Sequence, residues 1–297
     1  MSRIVLIVNP YSTGVTLDRL AAVQAVLGEA FEVETRQTEE RGHATELARE
    51  AVGTADAIVV FSGDGTYNEA VNGACGEMPF GFLPGGGASV LPRALGVSRD
   101  PVRAAAQVRD ALANRRIRTI SLGCVNGRRF TFSAGIGFDA EAVRRVDRKG
   151  RTVDGARAGN SAFVTTIIAI LLESRLRIEP QLELEGFGRA AFVFVANGRP
   201  YTFMGPLALQ LTSSGDFAGG LDFVAPRRVL PRTALRMTFR IFRGAGESDA
   251  DLLAAHDLDS LTVRCDRPLP LQVDGEDLGD VAEATFHAER DALEVLV

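Results

Sequence analysis

The hydrophobic pattern changes character near Ile117. Before it, short apolar runs alternate with segments of helical spacing. Arg3 to Val8 is a β-branched strand, and Leu17, Leu20, Val23 and Leu27 then recur at the helical period. Phe31 to Thr35 reads as a second strand, and a second helix opens at Arg41 and runs to about Val52. Ala57 to Phe61 is an apolar run of the kind found in buried parallel strands. A helix is expected to begin at Ala70, a fourth strand spans Phe80 to Leu83, and a helix covers Pro101 to Ala113. Such alternation predicts an α/β domain over residues 1–120, with a parallel doubly wound sheet and helices on both faces.

After Ile117 the runs are short and β-rich. They are Arg118 to Cys124, Arg129 to Ser133, Leu182 to Glu185, Ala191 to Ala196, Leu207 to Thr212, Leu221 to Ala225, Ser260 to Cys265, Leu271 to Asp274, Ala284 to His287 and Leu293 to Val297. About three helices interrupt them: Phe138 to Val146, Ser161 to Leu172 and Pro231 to Phe242. Turn signals such as Asn126-Gly127 suit hairpins. The expectation is a β-rich antiparallel domain over 121–290. The Arg148 to Asn160 stretch reads as a mobile loop.

Composition narrows the class. A chain of 297 residues suits two domains, and 46% hydrophobic content with 24% charge describes a globular protein. A net charge of -5 argues against a nucleic-acid partner. Cys75, Cys124 and Cys265 are scattered, which gives neither a disulfide framework nor zinc spacing and points to a reducing cytoplasm. The start goes straight into a strand without a signal-peptide pattern. The longest apolar run, Ala162 to Leu172, is shorter than the ~20 residues a bilayer requires. Contact with a membrane, at its inner face, therefore stays open, while crossing one is not expected. Pairing into a homodimer through a sheet edge also stays open, with no residue to mark it.

Three corners carry the chemistry. The first strand ends in Asn9-Pro10-Tyr11-Ser12-Thr13-Gly14, the third in Ser62-Gly63-Asp64-Gly65-Thr66-Tyr67-Asn68-Glu69, and the fourth in Pro84-Gly85-Gly86-Gly87-Ala88-Ser89. Glycine lets the backbone approach a ligand, and the N–H groups at a helix start favour an anion. Asp64 adds a carboxylate beside them. Ligands of such sheets bind at strand carboxyl ends, so the three corners can converge on one phosphate-bearing ligand.

These motifs, with Arg93-Ala94-Leu95-Gly96 and a late Asp274-Gly275-Glu276, occur in an order that resembles the diacylglycerol kinase catalytic-domain family. That family comprises bacterial lipid kinases similar to sphingosine kinases, within a superfamily that includes NAD kinases and phosphofructokinases. The resemblance spans essentially the whole chain. It implies transfer of the γ-phosphoryl group of ATP, assisted by Mg2+, to a lipid hydroxyl of diacylglycerol or sphingoid type. It also implies that Asn9, Thr38, Gly63, Asp64, Gly65, Thr66, Asn68, Gly86 and Gly87 hold the nucleotide. Glu276, with Asp274 beside it, is implied as the base, with Asp64 sharing the work through magnesium. The segment 291–297 is expected to return to the first domain, and 121–290 to receive the lipid.

The chain departs from the family at the third corner. Gly87 stands where the family has a threonine and Ser89 where it has an asparagine, and Pro92 replaces a small residue. Nucleotide affinity or choice is the property at stake. A structural magnesium site is implied at Asp216 and Asp222, with Gly219 in place of an acidic residue. The segment 197–206 is a candidate wall of the acyl groove. Arg144, Arg145, Arg148, Lys149 and Arg151 form a basic cluster suited to an anionic membrane or simply to water. His43 reads as a capping or surface histidine, and His256 and His287 receive no role. An NAD kinase, or a nucleotide- or lipid-binding protein without turnover, are the rival readings.

Overall fold

A computed structural model describes residues 2–148, 160–198, 202–204, 207–209, 217–242 and 249–297. The chain divides into two compact units, Met1–Ile120 with Asp291–Val297, and Ser121–Arg290.

The first unit contains β1 (Arg3–Val8), α1 (Leu17–Gly28), β2 (Glu32–Gln37), α2 (His43–Ala51), β3 (Ala57–Ser62), α3 (Asp64–Ala74), β4 (Phe80–Pro84), α4 (Val90–Ala94) and α5 (Pro101–Ala113). Its strands pair in parallel in the order β2-β1-β3-β4, and Val295 near the chain end joins β4 in parallel. Every residue of β3 is buried, and β2 at the edge exposes both ends. Helices pair α1 with α5 and α2 with α3. Right-handed crossovers put the two pairs on opposite faces, because the chain reverses direction between β2 and β3. That reversal makes the carboxyl ends of β1 and β3 neighbours, which is the switch point where open α/β sheets bind ligands. The α2–α3 approach is close: a Cβ on Gly73 would lie 2.3 Å from the Thr45 carbonyl oxygen.

The second unit contains β5 (Ile117–Val125, whose first residues lie in the first unit), β6 (Arg128–Phe130), β7 (Ser133–Ile136), α6 (Phe138–Arg148), α7 (Asn160–Glu173), β8 (Leu182–Leu184), β9 (Gly188–Ala190), β10 (Val193–Ala196), β11 (Thr202–Met204), β12 (Leu207–Leu209), β13 (Leu221–Pro226), α8 (Pro231–Phe242), β14 (Leu252–Leu258), β15 (Ser260–Val273) and β16 (Glu276–Leu296, whose last residues lie in the first unit). Its main sheet is antiparallel, in the order β14-β13-β10-β7-β15-β16. Val125, Phe130, Val193, Phe223, Val263 and Phe286 belong to one apolar core, and Phe192, Phe194, Val229 and Met237 to a second.

The elements differ from the sequence expectation in several places. Helix α3 starts at Asp64, not Ala70, so the Gly-Asp-Gly stretch forms its first turn. Two pairs of short strands fuse into the long β15 and β16, with the register shifting between Arg264 and Leu269 and again between Pro270 and Gln272. Bulges absorb the prolines that interrupt the strand pattern. Strand β14, with three leucines and two alanines where β-branched residues would signal a strand, is not expected from the sequence and forms by pairing with β13. Most of the loop expected over Arg148 to Asn160 lies outside the described residues.

Candidate functional site

The first unit draws its three corners together. Asn9 Nδ2 donates to Thr66 Oγ1 at 3.2 Å, while its Oδ1 accepts the Tyr11 N–H at 2.9 Å. The Ser12 and Ser62 hydroxyls are 2.9 Å apart, and Ser62 donates to Thr66 at 2.8 Å. Gly14 N–H donates to the Gly85 carbonyl at 2.7 Å, and Gly85 N–H to that of Ser62 at 2.6 Å. The Tyr67 hydroxyl bridges the Ser62 and Leu83 carbonyls at 2.6 and 2.7 Å. Burial, and then the Asp64 charge, push that phenol well above its ordinary value, so it stays neutral and donating.

The glycines of the corners separate into two kinds. A Cβ on Gly86 would lie 2.7 Å from the Gly63 Cα, one on Gly85 2.8 Å from Val15 Cγ2, and one on Gly14 2.8 Å from the Gly85 oxygen. Packing requires glycine there. Gly65 and Gly87 have no such reason, because a Cβ would meet nothing within 4 Å at either. Their Cα atoms border open space at the mouth of the corners.

The implied nucleotide residues fall into the same division. Gly63 is the extended N-cap of α3, and Asp64 opens its first turn. The Asp64 carboxylate accepts the Leu91 N–H at 3.2 Å, tying α3 to the start of α4. Thr66 and Asn68 are buried; Thr66 accepts from Asn9 and Ser62, and Asn68 accepts from Asn72. Their side chains are hydrogen-bonded within the corner. Thr38 is buried just beyond β2, its N–H on the Val8 carbonyl at 2.9 Å. Gly86 N–H donates to Ser89 Oγ at 3.3 Å, and buried Ser89 holds a left-handed φ of 43°. Glu69 accepts the Ala44 N–H at 3.3 Å and so caps α2.

In the second unit, Asp274-Gly275 is the two-residue turn between β15 and β16, with φ of 46° and 79° and a Val273–Glu276 pair below it. Asn126-Gly127 makes the same kind of turn between β5 and β6, with φ of 48° and 84°. Asp274 is only 6% exposed. Its carboxylate accepts the Thr131 N–H at 2.7 Å, the Thr131 hydroxyl at 2.8 Å, and the Phe132 and Ser133 N–H groups at 3.0 Å each. Glu276 opens β16, where Arg128 on β6 donates to its carboxylate at 3.1 Å. Arg128 is the site neighbour that the sequence did not mark; the Asn-Gly turn that aims it was the available signal.

The implied metal residues are not seen together, because Asp216 lies outside the described residues. Asp222 is buried on β13, accepts the Asp257 N–H at 3.0 Å, and lies 3.3 Å from His256 Nδ1. His256 thus has the partner that its sequence context did not show. Among the described residues no three His, Cys, Asp or Glu side chains cluster as a metal site. Of the candidate acyl wall, Asn197 is buried and donates to the Ser121 and Thr131 carbonyls, which is a framework role. Much of 199–206 lies outside the described residues.

Residues 3–125 match the model of the diacylglycerol kinase catalytic domain. A Bacillus subtilis diacylglycerol kinase is 31% identical over 232 residues, 76% of this chain and 69% of the relative. The chain belongs to the diacylglycerol kinase catalytic-domain family. As a member of it, the protein is a lipid kinase, a phosphotransferase with an alcohol acceptor. A Streptococcus pneumoniae relative is 30% identical over 203 residues, 66% of either chain, so in both alignments the chain spans about two thirds of the relative's length. In fold it is similar to a diacylglycerol kinase of Bacillus anthracis, with a TM-score of 0.73 and 18% identity over 99% of this chain and 96% of that one. An Archaeoglobus fulgidus NAD kinase shares the fold more distantly, at a TM-score of 0.53 and 12% identity over 99% of this chain and 93% of that one.

Proposed function

We propose that this family member transfers the γ-phosphoryl group of ATP to the free hydroxyl of a diacylglycerol- or sphingoid-type lipid. The observation that carries the nucleotide half is Gly65 and Gly87, glycines with no packing reason to be glycine, bordering open space beside the α3 N-terminus. Phosphate oxygens can come within hydrogen-bond reach of backbone N–H groups there. Gly63, Gly86 and the Asn9–Ser62–Thr66 hydrogen-bond network hold that backbone in place, with Thr38 and Asn68 buried in the same unit.

Phosphoryl transfer needs a base at the attacking oxygen and neutralised charge on the phosphates. In this proposal Glu276 is the base: it takes the lipid hydroxyl proton while that oxygen bonds to the γ-phosphorus and the bond to the ADP oxygen breaks. Asp274 acts through Glu276 by anchoring the turn before it. Mg2+, when bound, spreads the phosphate charge, and Asp64 is the carboxylate that the corner offers it. Asp216 and Asp222 are the second candidate pair for magnesium; Asp222 is buried between the Asp257 N–H and His256.

The test is transfer of labelled γ-phosphate to a mixed lipid extract, with NAD as a parallel acceptor. Label in the organic phase is expected. Label on NAD alone, or bound ATP without transfer, would overturn the reading.

The altered third corner makes its own expectation. Gly87→Thr fits without strain, since a Cβ there meets nothing and the backbone is not left-handed. One hydroxyl hydrogen bond to a charged phosphate is worth about a tenfold gain. The KM for ATP should fall by about that factor with kcat little changed, read from initial rates.

A further inference from the structure

The basic residues adjacent in sequence are largely neutralised in the structure. Arg144 is bonded to Asp277 at 2.9 Å and to Asp280 at 2.6 Å, and Arg145 to Glu141 and Glu173 at 2.7 Å each. Burial pushes the Asp277 carboxyl up, but the Arg144 hydrogen bond and the Gly279 N–H outweigh it and hold it below its ordinary value. Lys149 and Arg151 lie outside the described residues. Of the described members of the Arg144–Arg151 cluster, Arg144 and Arg145 thus spend their charge on internal ion pairs, while Arg148 at the end of α6 is exposed.

Unpaired positive charge collects elsewhere in the second unit. Ile178 and Val229 form a β-bridge, with N–H···O bonds of 3.1 and 2.9 Å in both directions. Side chains alternate across a bridge, so Val229 points into the apolar cluster with Ala234 and Met237 while Arg177 and Arg228 point out. Arg175, Arg177, Arg228 and Arg232 are all exposed, and none has an ion-pair partner among the described residues. Arg228 and Arg232 border one open depression of about 590 Å³. On α8, Arg232, Arg236 and Phe239 share the outward stripe, and Ala234 and Met237 face in. Phe239 is 56% exposed, and Leu172, one turn before Arg175, is 66% exposed. The acidic residues nearby do not cancel this charge. Asp249 and Asp251 are taken up by Arg236 and Arg240, which leaves Glu179 against four arginines.

We infer that this surface, Arg175, Arg177, Arg228 and Arg232 flanked by Leu172 and Phe239, docks the protein on an anionic lipid bilayer. The inference rests on the lipid-kinase reading for its purpose but not for its physics. The chain carries a net charge of -5, so a segregated patch of free arginines is complementary to an anionic surface and not a general property of the protein. Exposed apolar side chains among arginines suit the headgroup boundary, where arginine stems lie along apolar surface and their heads reach phosphate. No helix among the described residues is long and apolar enough to cross a membrane.

The test is co-sedimentation of the full chain with phosphatidylcholine vesicles, with and without phosphatidylglycerol. Binding is expected only to the anionic vesicles and should be released by about 0.5 M salt, where the screening length is only a few ångströms. Each arginine changed to Gln should weaken binding about fivefold, and the four together should reduce it to background. Phe239→Ser should weaken it separately and without salt dependence. Transfer to acceptor lipid dispersed in detergent micelles should be unchanged in the four-arginine variant, because these residues are exposed and take no part in the reaction. Equal vesicle binding by that variant and the unaltered protein overturns the docking surface. Equal binding to neutral vesicles, or retention by nucleic acid and not by vesicles, overturns it too. Failure of the kinase reading looks different: no transfer in micelles by either protein, whatever the vesicles show.

Discussion

Glu276→Gln is expected to lower phosphoryl transfer by two to four orders of magnitude and to leave ATP binding unchanged. Loss of a positioned general base has that size. The amide is isosteric and can still accept from Arg128, which holds the carboxylate at 3.1 Å, so the start of β16 keeps its geometry. The amide cannot take a proton from a hydroxyl. Single-turnover transfer beside equilibrium ATP binding separates the two effects. A variant that transfers at the normal rate would remove Glu276 from the chemistry and leave it as half of an ion pair. Arg128→Met is the companion: it frees the carboxylate to rotate, so it should reduce transfer less than Glu276→Gln.

Asp274→Asn is expected to destabilise the second unit by about 3–5 kcal/mol, read as a shift of its denaturant midpoint. The carboxylate accepts from four donors in a nearly closed environment, and a buried donor left without a partner costs about 1–3 kcal/mol. An amide offers one acceptor and turns two donors toward N–H groups. Asparagine also tolerates the left-handed φ of 46°, so the substitution isolates the hydrogen bonds from backbone strain. Asp274→Ala should cost more, because alanine adds that strain. An unchanged midpoint for Asp274→Asn would mean that the turn is held by the strands alone. The readings of Asp-Gly as a hairpin turn and as part of a catalytic pair are then compatible. The turn is what the structure builds, and it delivers Glu276 to the first position of a strand.

The alternation of apolar runs with helical spacing was enough to read the parallel sheet of the first unit, because a strand buried on both faces and an amphipathic helix each carry their own period. The corners were legible for a local reason as well. Glycines and short polar residues at strand ends have few other uses. Their division was not legible. Gly86 is glycine because Gly63 packs against it, whereas Gly65 and Gly87 are glycine with nothing against them. That distinction depends on atoms distant in sequence. The same limit applied to the burial of Thr66 and Asn68, which depends on partners such as Asn9 that are distant in sequence.

The second unit shows the other side. Strand β14 lacks β-branched residues and forms because β13 supplies its partner, and β15 runs through two prolines because bulges absorb them. Arg144 and Arg145 are adjacent in a basic stretch yet spend their charge on internal carboxylates. Arg177 and Arg228, in separate segments, are brought to the same outward side by one antiparallel bridge between Ile178 and Val229, which sets Glu179 opposite Arg228. The sequence by itself determined the period of each element, the turns and the chemistry of the corners, since these depend on neighbours along the chain. Tertiary structure alone decided which charges are free and which glycines face open space, because free charge and open space depend on what the rest of the fold brings within a few ångströms.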